Sequence, residues 1–228
     1  MNIKIGVPAK GRLSGKSLDW LRSNGLGFNE PDLDRRYSVR AAGVVSAELV
    51  FLPAGEIPEE IRRGNLMFGI TGADLVHEQQ PDWRQRMEIQ AELGFGNTRL
   101  MIAVPQFWID VESVHDLDDV AARFRAEHGW GLRIATKYHS LVREFLRGID
   151  LTDYRLVDSQ GATEGTVANE MAEAIADLVS TGETLTANGL KTLSDGLVFK
   201  SQAIFIRSRE VSLRSSDRPD IQEIMTWR

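Results

Sequence analysis

The residues best suited to chemistry stand together at Asp177-Leu-Val-Ser-Thr-Gly-Glu-Thr-Leu-Thr-Ala-Asn-Gly-Leu190. An apolar run, Ala174 to Val179, leads into a turn of hydroxyls around one glycine: Ser180, Thr181, Gly182, Glu183 and Thr184. A short helix can follow, with Asn188-Gly189 to stop it. A strand, a small-residue turn and a helix start can hold a phosphate. The backbone N–H groups point at the anion and the hydroxyls donate further hydrogen bonds. The same residues also describe an ordinary capped strand-to-helix connection, and local spacing does not choose between the two.

Ligands of open α/β sheets sit beyond the C-terminal ends of the strands, so residues expected at those ends belong to one argument. They are Lys10 and Arg12 after Ile3–Val7; Thr71, Gly72 and Asp74 after Leu66–Ile70; Lys137 and Tyr138 after Arg133–Thr136; and Gly161 and Glu164 after Tyr154–Val157. Bases, hydroxyls, glycines and a few acids suit a highly phosphorylated ligand and a sugar diol, with Mg²⁺ held mainly by the ligand's phosphates. Gly11-Arg-Leu-Ser-Gly-Lys-Ser17 imitates a nucleotide-binding P-loop but has three residues where four are needed, so it is rejected. The four histidines, at 77, 115, 128 and 139, lack metal-ligand spacing. No G-x-S-x-G elbow and no G-x-G-x-x-G after a strand is present.

The totals fit these expectations. At 228 residues, 42% hydrophobic and 26% charged, the chain can build one large domain or two small ones. A net charge of −6 argues against broad binding to nucleic acid or anionic membranes. The absence of cysteine removes disulfides, thiolate nucleophiles and thiolate metal ligands. With no leader and no membrane-length apolar run in the sequence, the expected location is cytoplasmic.

The elements that must position these residues alternate between strand and helix along most of the chain, which predicts an α/β fold with largely parallel sheets. Strands are expected at 3–7, 37–41, 48–52, 66–70, 100–104, 133–136, 154–157, 174–179, 196–200 and 203–207. Helices are expected from Ser14 to about Asn24 and at 57–63, 75–79, 117–128, 140–147, about 167–173, and 220–227. The paired glycines 94 and 96 suggest a hinge or a close backbone approach. The tail carrying Met225 and Trp227 reads equally as a subunit contact or a frayed end.

Asp177-x-x-Ser-Thr-Gly-x-Thr184 resembles the phosphoribosyl pyrophosphate (PRPP) loop of phosphoribosyltransferases, with Ala176 where the commonest class has a second acid. Extended to Leu190, it is similar to the signature of the ATP phosphoribosyltransferase family, which opens histidine biosynthesis. Collinear segments agree: Pro8-Ala-Lys-Gly-Arg-Leu13, Gly69-Ile-Thr-Gly-Ala-Asp74, Leu93-Gly-Phe-Gly-Asn-Thr-Arg-Leu100, Ala135-Thr-Lys-Tyr138 and Gly161-Ala-Thr-Glu164. The resemblance implies a two-lobed, periplasmic-binding-protein-like (type II) α/β fold with its active site in the inter-lobe cleft. Lobe I would span 1–94, completed by 190–228, and lobe II would span 95–189 and carry the PRPP loop.

The implied reaction joins N1 of ATP to C1 of PRPP's ribose and releases pyrophosphate, with Mg²⁺ as cofactor. Ser180, Thr181, Gly182, Glu183 and Thr184 would hold the 5-phosphate, and Asp177 a ribose hydroxyl or the positive ribose. Lys10 and Arg12 would neutralise phosphate or pyrophosphate charge. Thr71, Gly72, Asp74, Arg99, Lys137 and Tyr138 would line the ATP side or the cleft, and Glu164 would help with ribose or Mg²⁺. The chain resembles the family's short form, catalytic subunits that assemble as homo-oligomers with a histidyl-tRNA-synthetase-like regulatory subunit. Histidine feedback would then act through that partner. The competing readings are a non-catalytic bilobal small-molecule binding module, and a PRPP-using transferase with a different base.

Overall fold

The computed structural model describes residues 3–29, 37–80, 82–159, 161–210 and 218–228. In chain order the elements begin β1 Ile3–Pro8, α1 Ser14–Ser23, β2 Leu26–Gly27, β3 Ser38–Gly43, β4 Ala47–Leu52, α2 Ile57–Arg62, β5 Phe68–Gly72, α3 Ala73–Gln79, α4 Trp83–Arg86 and β6 Met87–Glu92. They continue β7 Thr98–Pro105, α5 Val114–His128, β8 Leu132–Thr136, α6 His139–Gly148, β9 Tyr154–Asp158, α7 Gly165–Ala168, β10 Ala174–Val179, α8 Glu183–Ala187, β11 Leu190–Ser201 and β12 Ala203–Ser208, with a last helix at Pro219–Ile224. They form two compact units, Met1–Asn97 with Gln202–Arg228, and Thr98–Ser201.

The first unit has a seven-stranded sheet in the order β2-β3-β4-β1-β5-β12-β6. β1 is parallel to both β4 and β5, so the C-terminal ends of these three strands lie on one edge. β1 is buried almost throughout, as expected of a central parallel strand covered on both faces. Helix α2 sits very close to it. A Cβ on Gly69 of β5 would lie 2.4 Å from Ile57 Cγ2, and one on Gly6 would lie 3.1 Å from the same atom. Glycine is therefore the residue that allows this helix–sheet approach.

Aromatic rings close the same core. Phe68 stacks on Phe205 at 5.6 Å, Trp20 lies 4.9 Å from Phe205, and Trp227 lies 5.9 Å from Trp20 and 6.0 Å from Phe205. Ile221, Ile224 and Trp227 of the C-terminal segment belong to this core, with Met225 packed against it. Gln90 Nε2 fixes the segment by donating to the Ile224 carbonyl at 2.6 Å and the Trp227 carbonyl at 3.3 Å. The end of the chain is thus packed rather than frayed. Residues 211–217 of the polar stretch before it lie outside the described residues.

The second unit has a five-stranded sheet, β11-β7-β10-β8-β9. β10, β8 and β9 run parallel, while β7 is antiparallel to both of its neighbours. Side chains alternate along β7, so Leu100, Ile102 and Val104 enter one core cluster while Met101 and Ala103 enter another. Both faces of this sheet are therefore covered. Helix α5 starts at a capping box between Ser113 and Asp116 and ends at Gly129, whose φ is 81°.

Three sequence expectations differ from this arrangement. The resemblance assigns residues 190–228 to the first lobe, but β11 pairs with β7, and only β12 pairs with β5 and β6. Residues 190–201 consequently fold with the second unit, and the chain returns to the first at Gln202. The helix expected to Glu173 stops at Ala168, where Glu170 takes φ 57° and the Glu173 carboxylate turns to accept the Arg133 N–H at 2.8 Å. Strand β6 is absent from the sequence expectations although Met87-Glu-Ile-Gln-Ala-Glu92 alternates apolar and polar residues, the period-two signal of a half-buried strand. Among the described residues no helix is long and apolar enough to cross a membrane.

Trp227→Ala should lower stability by about 3–5 kcal/mol, the usual cost of emptying a large aromatic site. Chemical denaturation checks this; an unchanged midpoint would return the tail to the surface.

Candidate active site

In the second unit the parallel register carries the ends of β8, β9 and β10 to one edge, with Ala176 opposite Thr136 and Thr136 opposite Asp158. The segments that follow these strand ends are Lys137-Tyr138, Ser159 with 161–164, and the loop 180–183. Asp177 stands on β10 just before the loop and is partly buried. Burial pushes its carboxyl above the ordinary 3.8, while the Leu178 N–H, the Thr163 hydroxyl and the Lys137 ammonium pull it down and Glu164 adds to the rise. The Leu178 N–H reaches Asp177 Oδ1 at 2.8 Å. Lys137 is held in turn, its Nζ donating to the Gly161 carbonyl at 2.6 Å. One charged group is thus surrounded by a cation, a second acid and two hydrogen-bond donors.

The loop is built to leave its backbone available. Gly182 adopts φ 87°, a left-handed conformation that side-chain-bearing residues avoid, and it caps α8 with no side-chain cap. Among the described residues the N–H groups of Thr181 and Gly182 make no hydrogen bond. The Glu183 N–H has only a long contact to Thr181 Oγ1, 3.4 Å. Val179 and Leu185 anchor the loop in a core cluster, while Ser180, Thr181, Glu183 and Thr184 are exposed. Thr186 Oγ1 and N–H both bond the Gly182 carbonyl, at 3.2 and 3.0 Å, and so fix the turn. Arg99 pairs with Val179 across β7 and β10, which brings it to the loop. Together with Thr181, Gly182, Glu183 and Leu185 it lines a cavity of about 660 Å³. Free N–H groups, hydroxyls and a guanidinium are donors only a few residues from a partly desolvated carboxylate. The set can bind a phosphate and order a neighbouring hydroxyl or positive carbon.

The first unit gathers a second set. Thr71 and Asp74 are buried at the end of β5 and the start of α3, and Gly72 precedes that helix with extended backbone. Thr71 Oγ1 donates to the Ala54 carbonyl at 2.7 Å. Arg12 lies 3.8 Å from Asp74 and donates to the Gly96 carbonyl. Gly96, at φ 67°, has no room for a Cβ, which would lie 2.3 Å from Leu13 Cδ2. Asp74 therefore orients Arg12, and Arg12 in turn holds the 94–96 turn. Lys10 is exposed, with no carboxylate within 4 Å among the described residues.

The sequence-derived residues thus fall into two groups: Lys10, Arg12, Thr71, Gly72 and Asp74 on the first unit, and Arg99, Lys137, Glu164, Asp177 and 180–184 on the second. Tyr138, expected on the ATP side or in the cleft, is 8% exposed and belongs to the second unit's core. Sequence reasoning passed over Thr163 and Ser159, which stand behind Asp177. Of that segment the sequence singled out Gly161 and Glu164, and nothing in the spacing signals that Thr163 between them is buried.

Two α/β units, each built on its own sheet, place the chain in the two-lobed periplasmic-binding-protein-like (type II) class. Solved structures agree on the fold. An ATP phosphoribosyl transferase (HisG:HisZ) complex from Thermotoga maritima matches with a TM-score of 0.66 at 18% identity, covering 98% of this chain and 97% of that one. A probable amino-acid ABC transporter extracellular-binding protein from Bacillus subtilis matches with a TM-score of 0.55 at 12% identity, covering 99% and 90%.

Sequence comparison separates these possibilities. The family described as "HisG: ATP phosphoribosyltransferase" matches residues 53–227. An ATP phosphoribosyltransferase of Cereibacter sphaeroides is 54% identical over 219 residues, covering 96% of this chain and 93% of its own. One of Mesorhizobium japonicum is 45% identical over 227 residues, covering 98% and 97%. The chain belongs to the ATP phosphoribosyltransferase family.

The surroundings of Asp177 make a stability prediction. Its folded pKa lies above the ordinary 3.8, so its contribution is complete below the unfolded value and is lost as pH rises through the folded one. Ionised at pH 7.5, it is a net cost. Asp177→Asn should raise the thermal unfolding midpoint at pH 7.5, with the gap closing as pH falls toward 3.8. A variant less stable than wild type at pH 7.5 would contradict the desolvation.

Proposed function

We propose that the chain transfers the phosphoribosyl group of PRPP to N1 of ATP, giving phosphoribosyl-ATP and pyrophosphate, in the first step of histidine biosynthesis in the cytoplasm. The observation that carries this reading is the loop after β10, with unbonded N–H groups at Thr181 and Gly182 three residues or more beyond a carboxylate tuned by Lys137 and Thr163. Family membership decides for a transferase over the non-catalytic binding module that the fold alone would allow.

The chemistry follows from what these groups are. Adenine N1 already carries a lone pair, so no strong base is needed. That pair forms the new N–C1 bond as the bond between C1 and the pyrophosphate oxygen breaks, and the electrons leave with pyrophosphate. Positive charge grows on the ribose. The difficult tasks are holding two polyanions together and stabilising these opposite charges. Ser180–Thr184 and Arg99 hold the 5-phosphate. Asp177 accepts from a ribose hydroxyl and faces the developing cation, with Glu164 assisting. Lys10 and Arg12 neutralise phosphate and departing pyrophosphate, and Thr71, Gly72, Asp74 and Lys137 support the ATP side.

Among the described residues no three His, Cys, Asp or Glu lie close enough to hold a metal ion. On this reading Mg²⁺ is carried mainly by the substrate phosphates, and Glu164 helps with ribose or Mg²⁺. Mg²⁺ supplies charge neutralisation on the pyrophosphate group. The chain assembles as a homo-oligomer with a regulatory subunit of the kind named HisZ in the Thermotoga maritima complex.

The test is pyrophosphate release from PRPP and Mg²⁺ with ATP against other nucleotides, alone and with the regulatory subunit. ATP should be the acceptor. Thr181→Val should lower kcat/KM for PRPP at least tenfold, as expected for losing a hydrogen bond to a charged group. Unchanged PRPP kinetics would remove the loop from the reading. Histidine should inhibit only when the regulatory subunit is present; strong inhibition of the chain alone would contradict that division of labour.

A further inference from the structure

We infer that Thr163 is a positioning residue for the transfer: with Ser159 it forms a buried hydroxyl relay that fixes the direction of the Asp177 carboxylate. The inference rests on the reading that Asp177 serves the ribose. Ser159 is 3% exposed and Thr163 is fully buried. Ser159 Oγ donates to Thr163 Oγ1 at 2.9 Å. A hydroxyl has a single proton, and because Thr163 accepts from Ser159, its own proton is free for Asp177, to which it is bonded.

The relay is rooted at both ends. The Ser159 N–H bonds the Thr136 carbonyl at 3.2 Å, on the strand beside β10. The Thr163 carbonyl accepts Thr166 Oγ1 at 2.7 Å and the Thr166 N–H at 3.1 Å. With the Leu178 N–H on Asp177 Oδ1 at 2.8 Å, two fixed donors hold the carboxylate from separate elements. The same segment carries the Gly161 carbonyl that holds Lys137. Ser159, Gly161 and Thr163 therefore set both the carboxylate and its counter-ion. The charged groups acting on Asp177 among the described residues are Lys137 beyond β8 and Glu164 in the segment itself, while β7 places the uncharged Met101 opposite it. A buried hydroxyl pair aimed at an apolar wall would cost stability for nothing; aimed at a carboxylate it keeps that group ionised and still.

The experiment uses the full chain and compares Thr163→Val, Thr163→Ser and Asp177→Asn. Valine keeps the branched shape and removes the donor. It should move the acid limb of kcat/KM for PRPP to higher pH by about one unit, the equivalent of one hydrogen bond to a charged group. It should also lower kcat/KM near pH 7 about tenfold and leave KM for ATP unchanged, while serine should restore wild-type behaviour. The ¹³C titration of the Asp177 carboxyl in the same variants should show the same upward shift without reference to turnover. If Thr163→Val does not fold, Ser159→Ala should give a smaller shift in the same direction. An unshifted acid limb and carboxyl titration would overturn the relay. Asp177→Asn separates the two levels: full turnover in that variant refutes the role of Asp177 itself, whereas an inactive Asp177→Asn beside an unshifted Thr163→Val refutes only the relay.

Discussion

A carboxylate held where water is scarce is the constraint around which the second unit is built. Burial alone would drive Asp177 toward its neutral form, and a neutral acid could neither accept strongly from a ribose hydroxyl nor oppose a growing positive charge. The Leu178 N–H, the Thr163 hydroxyl and the Lys137 ammonium resist that drift. They come from three chain segments, and only a parallel arrangement of β8, β9 and β10 delivers all three to one strand end. The phosphate loop depends on the same geometry, because it leaves β10 immediately after this acid and is anchored by Val179 and Leu185 in the core. Sheet topology, acid and loop form one device.

The first unit applies the same logic with opposite sign. Buried Asp74 orients a cation, Arg12, whose guanidinium also grips the Gly96 carbonyl. Gly96 lets the 94–96 turn come close enough for that grip. Lys10, two residues away and exposed, is the freer charge for a polyanion. A net-acidic chain thus still presents local positive charge at strand ends, which is the charge the proposed handling of two polyphosphates requires.

Much of this was legible in the sequence where local chemistry and local structure coincide. Ser180–Thr184 announced a turn after a strand, and the structure has both, with Gly182 at the left-handed position. Lys137 was visible as a cation at a strand end, whereas Arg99 entered only through the family resemblance, and its pairing with Val179, which puts it beside the loop, is a long-range register that no local pattern encodes. Tyr138 looked like a cleft residue because it follows a strand, yet its ring is drawn into the core. Thr163 was overlooked for the converse reason: its importance comes from burial, which depends on residues far away in sequence. The division of β11 and β12 between sheets was hidden in the same way, since it depends on pairing with distant strands and not on the two runs themselves.

The central claim is that this chain joins ATP N1 to ribose C1. The most direct measurement is NMR of the product formed from ATP labelled with ¹⁵N at N1 and PRPP labelled with ¹³C at C1, in the presence of Mg²⁺ and the regulatory subunit. The account predicts a one-bond ¹⁵N–¹³C coupling that appears in step with pyrophosphate release. Release of pyrophosphate without that coupling, or no reaction of the assembled enzyme, would contradict it.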